Sequence, residues 1–404
     1  MDLAIITSGI QSVPATLGGA AECLIENFLN TNEKYKKLTI TVFSIWDAKA
    51  YELAQKYNDS TFIFIKPNWL VKSLDNIVYF LAKNILCLKK TISYRYIFQR
   101  LYFLNKVSIL LKKNDYQKLL TENHPTLLLA LKWRKNDLKY KGRYYHHLHN
   151  KFAGAFGCAS IMKKSQNIIC NSNFVLTHLS KTLQIDNNLS VLKNCIDQSK
   201  FAKQLTAEET WALKEKYKIA ENEKVILFTG RISEEKGIKE LVLALKQIKY
   251  PNYKLLIVGS SFFRLEAKSR YEKEITEIVE CIKDRVIFTG YVLYDKIPDL
   301  YAIADIAVLP SMWEEPAGLT IIEAMTSGLP VITTNSGGIP EYANKKCAFI
   351  LEKDDNLVNN IAKSIDTLLS NDSLREKMGK ESLVAVKELN LDNYYLNLLS
   401  LLNK

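Results

Sequence analysis

Two glutamates and two cations at suggestive spacings are the residues of this sequence best suited to do chemistry. Glu315 and Glu323 lie in WEEPAGLTIIEAMTSGLP, directly after the apolar run IAVLP at 306–310. A loop and then a helix over about 318–326 is the natural reading, with Gly328 as a left-handed cap and Pro330 opening the next strand. Glu315 then stands on the loop and Glu323 about five residues inside the helix, roughly 7–8 Å further along the axis. The amides of Gly318, Leu319 and Thr320 would point out of the helix start without an intrahelical acceptor. Such donors, together with the helix dipole, hold a diphosphate. The axial span is that from the diphosphate of a nucleotide sugar to its ribose. Glu323 could therefore accept the ribose hydroxyls while Glu315 meets the sugar.

The cations come from GRISEEKG at 230–237, which again follows an apolar run. Arg231 and Lys236 there would stand at the C-terminal edge of a strand, the usual ligand crevice of an open α/β sheet. Fixed positive charge at that edge counters the charge developing on a diphosphate leaving group, worth on the order of 10²–10³ in rate per contact. Taken singly, each of these residues reads as a helix start, an ion pair or a solvated face.

The elements that must position them are legible as short apolar runs alternating with helical patterns: LAIIT, LTITVFSI, IIC, KVILFTG, KLLIVG, RVIFTG, IAVLP and PVITT. Runs without polar alternation mark parallel strands buried on both faces, and two Rossmann-like domains follow. The chain has 404 residues, too many for one ordinary core. The polar stretch NCIDQSKFAKQ suggests the boundary: residues 1–200 on the acceptor side, 201–385 for the nucleotide sugar, and 386–404 as a C-terminal helix free to pack back on the first domain.

Net charge is +12, but residues 1–203 hold 29 Lys and Arg against 13 Asp and Glu. The basicity is densest from Lys72 to Lys118, among aromatic residues such as Tyr79, Phe80, Tyr94, Tyr96, Phe98, Tyr102 and Phe103. That pattern suits an anionic membrane surface; ordinary solvated helices are the bland alternative. No recognised nucleic-acid motif accompanies the charge, so nucleic acid is not an expected partner. The seven cysteines form no CxxC pair, which fits a reducing compartment better than a disulfide framework. The first residues read as a strand and a glycine loop rather than a signal peptide, and no run of 18 apolar residues occurs. His146, His147 and His149 include an HxH pair, but no further zinc ligand follows nearby, so no metal site is expected. GxGxxG and GxxxxGK[ST] are absent, which leaves no case for a dehydrogenase or P-loop NTPase.

Together these segments resemble the C-terminal half of glycosyltransferase family four. Its hallmarks read here as Gly230-Arg231 to Lys236-Gly237, Asp305 to Pro310-Ser311, Glu315 to Glu323, and Gly337-Gly338-Ile339-Pro340-Glu341. The first half resembles it more loosely, through Pro14 and Gly18-Gly19, through His149 in YYHHLHN, and through Asn194-Cys195-Ile196-Asp197 with Phe201. Cys195 stands where Gly is usual, and Ala317 where many members carry Phe. The resemblance implies the GT-B fold, α/β, with two Rossmann-like domains facing each other across a cleft. It implies a retaining transferase moving a hexose or N-acetylhexosamine from a nucleotide sugar, a UDP-sugar first, to a saccharide or lipid-linked saccharide in surface polysaccharide or lipopolysaccharide synthesis. Glu315, Arg231, Lys236 and His149 would serve catalysis. Gly19, Arg231, Lys236, Val292, Glu315, Gly318, Leu319 and Glu323 would bind the donor. The donor is a substrate and no cofactor is implied; lack of an Asp-x-Asp implies metal independence. The location implied is cytoplasmic, peripheral on the inner face of the membrane. A nucleotide-sugar epimerase of the same architecture, or a non-catalytic nucleotide-sugar-binding module, would share these features.

Overall fold

The computed structural model describes residues 1–16, 19–86, 94–186, 188–260 and 270–403. Thirteen strands are found there: β1 Asp2–Ile6, β2 Thr39–Ile45, β3 Ser60–Ile65, β4 Lys118–Glu122, β5 Tyr144–Leu148, β6 Asn167–Cys170, β7 Leu189–Val191, β8 Lys224–Thr229, β9 Tyr253–Val258, β10 Val286–Gly290, β11 Ile306–Leu309, β12 Val331–Thr334 and β13 Ala348–Leu351. Every apolar run singled out in the sequence is one of them. Of the other five, β4 carries charge at both ends, β5 pairs two histidines with aromatics and β7 is only three residues long, whereas β3 (STFIFI) and β13 (AFIL) are as apolar as the runs singled out and have no local feature that explains why they are missed.

The strands form two wholly parallel sheets, ordered β3-β2-β1-β4-β5-β6-β7 and β10-β9-β8-β11-β12-β13. In each, chain order reverses at the centre, beside β1 in the first sheet and β8 in the second. Loops leaving the C-terminal ends of the two strands there diverge and open a crevice for ligand. Along β8, Val225 and Leu227 pack into one apolar cluster while Ile226 and Phe228 pack into another. Burial on both faces is why this strand reads as an unbroken apolar run.

The chain divides into two compact units, 1–193 with 394–404, and 194–393. Residues 194–200 go with the second unit because Ile196 lies in its core and its N–H donates to the Leu389 carbonyl. The terminal helix starts five residues later than the sequence suggests. A helix ends at Val386, and the next, Leu391–Leu402, starts where the Asn390 side chain accepts the Asn393 N–H at 2.8 Å. In the first unit Tyr395 donates to Asn32 at 2.7 Å, and Tyr145 to the Leu402 carbonyl at 3.0 Å.

The basic aromatic stretch from Lys72 to Lys118 divides by role, apart from 87–93, which lie outside the described residues. Helix Ile97–Lys113 buries Phe103, Leu104, Val107 and Leu111 in the core. Helix Trp69–Phe80, capped by Asn68, instead leaves Trp69, Leu70, Leu74, Ile77 and Phe80 exposed. No helix among the described residues is long and apolar enough to cross a membrane.

Candidate functional site

Beyond β8 the chain turns through Gly230 and Arg231 into a 3-10 turn, Glu234–Lys236. Gly237 follows at φ 68°, and a Cβ there would overlap the Pro310 carbonyl at the end of β11. Only glycine lets these two strand ends approach so closely. The Glu235 carbonyl then accepts from the Met312 and Trp313 amides at 2.9 and 3.1 Å and from Ser311 Oγ at 3.1 Å. Those bonds hold the segment that carries Glu315 beside Lys236. Lys236 Nζ lies 2.5 Å from Glu315 Oε1, and Ser311 Oγ donates to the same oxygen at 2.9 Å.

The Gly337-Gly338 loop braces Glu315 from the other side. Gly337 N–H donates to Glu314 Oε2 at 2.8 Å and Gly338 N–H to the Glu315 carbonyl at 2.7 Å. Glu314 in turn pairs with Lys353. Gly337 sits at φ 57° against the Glu315 backbone, where a Cβ would collide. The GG-x-P-E loop thus shapes the backbone under the first glutamate. Asp305, the acid ahead of β11, acts at the far end of the sheet, where it accepts the Val225 N–H at 2.8 Å and ties the N-terminal ends of β8 and β11 together.

Gly318, at φ 75°, precedes the helix Leu319–Thr326, and no side chain caps its start. Ile321, Ile322, Ala324 and Met325 bury one side of this helix in the core. Glu323 is drawn in with them, 6% exposed. Tyr294 and Tyr301 donate to its two carboxylate oxygens, each at 3.1 Å. Burial raises the carboxyl to about 7 even though both phenol hydrogen bonds oppose the rise. Tyr301 also bonds Thr229 Oγ1 at 2.6 Å, and Phe201 packs edge-on against both tyrosine rings.

Lys236, Glu315 and Gly318 line one small pocket, with Thr229, Ser311 and Ile339 among its other walls. It opens at the C-terminal ends of β8 and β11, the reversal point of the second sheet. Glu323 stands behind this pocket and connects to it through Tyr301 and Thr229. Arg231 is more than half exposed, 3.5 Å from Glu235. Val292 is half-buried against the core, and Leu319 is the first residue of the helix. Sequence reading overlooked Thr229, Tyr294 and Tyr301. Ser311 was visible as the end of a Pro-Ser strand, whereas tyrosines on a separate helix give no local signal.

In the first unit Gly19 is the N-cap of helix Ala20–Tyr35, while Gly18 lies outside the described residues. His149 follows β5 and its Nε2 lies 2.7 Å from Glu122 Oε2, at the end of β4. His147 Nδ1 is 3.3 Å from the same oxygen. Burial works to raise the Glu122 carboxyl, but the two imidazoles hold it well below the usual range. His146 points to the opposite face, bonded to Thr121 at 2.7 Å, and burial pushes it down to about 3.

Comparison with known proteins bears on the second unit most directly. Residues 209–383 match the family described as glycosyl transferases group 1. The putative glycosyltransferase YtcC of Bacillus subtilis is 34% identical over 178 residues, 44% of each chain. Lipopolysaccharide 1,2-N-acetylglucosaminetransferase of Salmonella typhimurium is 35% identical over 133 residues, 32% of this chain and 35% of its own. The chain thus spans less than half the length of these curated relatives. Among solved structures, Anabaena HepE in complex with UDP superposes with a TM-score of 0.75 at 19% identity, covering 100% of both chains. The match to the group 1 glycosyl transferases lies within the second unit, and the two Rossmann-like units give the chain the GT-B fold of its structural neighbours.

Proposed function

We propose that this protein is a retaining glycosyltransferase that moves a hexose or N-acetylhexosamine from a UDP-sugar to a saccharide or lipid-linked saccharide in cell-surface polysaccharide synthesis. The convergence of Lys236, Glu315 and the open helix start at Gly318 in one pocket carries this reading. The diphosphate lies on the amides of Gly318 and Leu319, where Lys236 and Arg231 neutralise the charge that grows as the leaving group departs. Glu315, positioned by Lys236 and Ser311, meets the sugar, and Glu323 accepts the ribose hydroxyls. Val292 contributes to the nucleotide pocket. With no side chain dedicated as a nucleophile, the acceptor hydroxyl attacks on the side from which the phosphate leaves, and retention follows. The transfer proceeds without a metal clamp on the diphosphate, because the two cations do that work. Gly19 and His149 are assigned to the donor through the family resemblance; His149 reaches this assignment already engaged by Glu122. Support for UDP comes from HepE, solved in complex with it, and support for a surface glycan from the Salmonella relative.

The acceptor side works at an anionic membrane surface. Support comes from helix Trp69–Phe80 and the turn Leu81–Ile85, which expose Trp69, Leu74, Ile77, Phe80 and Ile85 beside Lys72 and Lys83. Apolar wedges flanked by lysines suit the boundary between headgroups and acyl chains. The transferase reading is tested by screening nucleotide sugars for slow hydrolysis and for thermal stabilisation of the protein. UDP-sugars should give both, and a panel without either effect overturns the reading.

A further inference from the structure

The Glu122–His147–His149 cluster is built from the first unit alone, by residues other than those that line the pocket of the second. Glu122 ends β4 and stands in register with His147 on β5. His149, two residues further, turns to the same side, because side chains alternate along an extended chain. The two imidazole rings are 4.0 Å apart, and both face one carboxylate oxygen. One ring nitrogen from each histidine and one Glu122 oxygen all lie within 4.8 Å of one another.

Hydrogen bonding alone leaves this cluster incomplete. His147 is fully buried, yet neither of its ring nitrogens makes a hydrogen bond, and His149 Nδ1 makes none either. A shared proton between Glu122 and His149 satisfies that pair only. His147 is left with only the long 3.3 Å approach of Nδ1 to the same oxygen and with no partner for Nε2, an arrangement that buried polar groups rarely adopt. One cation between the three side chains accepts a lone pair from each and balances the carboxylate charge where water cannot.

We propose that Glu122, His147 and His149 bind one divalent transition-metal ion, with zinc the ion that their chemistry suits best. Two neutral imidazole nitrogens and one carboxylate oxygen form a borderline donor set, too nitrogen-rich for calcium or magnesium and without the sulfur that draws copper(I). Ligand distances of about 2.0–2.2 Å set tetrahedral donors about 3.4 Å apart, so His147 Nδ1 already stands at that spacing from Glu122 Oε2, at 3.3 Å, and His149 Nε2, at 2.7 Å, moves outward. Three protein ligands leave a fourth position to water or to a neighbouring group. An HxH pair on a strand with a carboxylate from the adjacent strand is a rigid frame, since backbone pairing already fixes the spacing. This inference does not rest on the transferase reading, because metal binding is read without donor or acceptor, and it competes with the donor role that the family resemblance gives His149.

The test uses the full chain without an affinity tag, stripped with EDTA, dialysed and titrated with zinc against a chromophoric chelator. One equivalent of zinc should compete with the chelator. His147→Ala and Glu122→Gln should each weaken binding at least about tenfold. His146→Ala, on the opposite face beside Thr121, should bind as the unmodified protein does. Zinc that fails to bind in stoichiometric amount, or that binds His147→Ala equally well, overturns the site. Should the variants not fold, cobalt(II) added to the unmodified protein decides: intense visible ligand-field bands of a four- or five-coordinate site support the proposal, and the weak spectrum of the hydrated ion refutes it.

Discussion

Glu323→Gln should remove a pH dependence of stability that burial of this one carboxyl builds into the second unit. Burial raises its pKa from 4.5 to about 7, so the folded protein holds the proton more tightly than the unfolded chain. The sign follows directly: stability from this group is fully present below 4.5, falls as pH rises and is lost above about 7. Over the whole window the change is about 3.4 kcal/mol, at 1.36 kcal/mol per pH unit. Between pH 5.5 and 8, where other carboxylates are already ionised, the same two values give about 2 kcal/mol. Glutamine keeps the shape and an acceptor for the Tyr294 and Tyr301 hydroxyls but cannot titrate. Urea unfolding of both proteins at the two pH values measures the effect as a difference of differences. The variant should gain about 2 kcal/mol relative to the unmodified protein on going from pH 5.5 to 8. A stability gap that is the same at both pH values refutes the argument, whichever protein is the more stable.

The same carboxyl should govern nucleotide affinity if it accepts the ribose hydroxyls: UDP should bind about tenfold more tightly at pH 8 than at pH 6, as the ionised fraction rises, and calorimetry on Glu323→Gln should show that dependence abolished. Lys236→Ala removes the cation beside Glu315 and should lower turnover at least about tenfold, about 1.4 kcal/mol of barrier; near-normal turnover in the folded variant removes Lys236 from the site. Gly337→Ala places a Cβ against the Glu315 backbone at a positive φ and should cost about 2 kcal/mol or more in a urea melt. Ile77→Glu together with Phe80→Glu, both more than half exposed, should abolish co-sedimentation with anionic liposomes at low salt while leaving the unfolding midpoint unchanged; retained binding excludes this face as the contact.

Much of the second unit is readable in one dimension because its informative segments are local. A buried parallel strand needs apolar side chains on both faces, so β8, β9, β11 and β12 stand out as continuous runs. Glycine at Gly328 and Pro330 punctuate the end of helix Leu319–Thr326 as the sequence suggests. Strand ends that carry the chemistry then follow the runs, which is how Lys236 and Glu315 are found. The terminal segment is harder to read: its apolar period continues through 387–390, and only the cap made by Asn390 reveals the break.

What the linear order determined, then, is the class of fold and the residues at the strand ends, since periodicity and glycine placement are properties of neighbouring residues. Tertiary structure alone decided what those residues touch. Glu323 is turned from a solvated carboxylate into one that titrates near neutrality by burial in the folded unit, against the opposing hydrogen bonds of Tyr294 and Tyr301. The HxH pair looks incomplete when ligands are sought downstream, yet β4 supplies Glu122 from upstream through sheet pairing. Burial and partnership depend on contacts between distant segments, and a parallel sheet, whose neighbours are never joined by a tight turn, hides them most thoroughly.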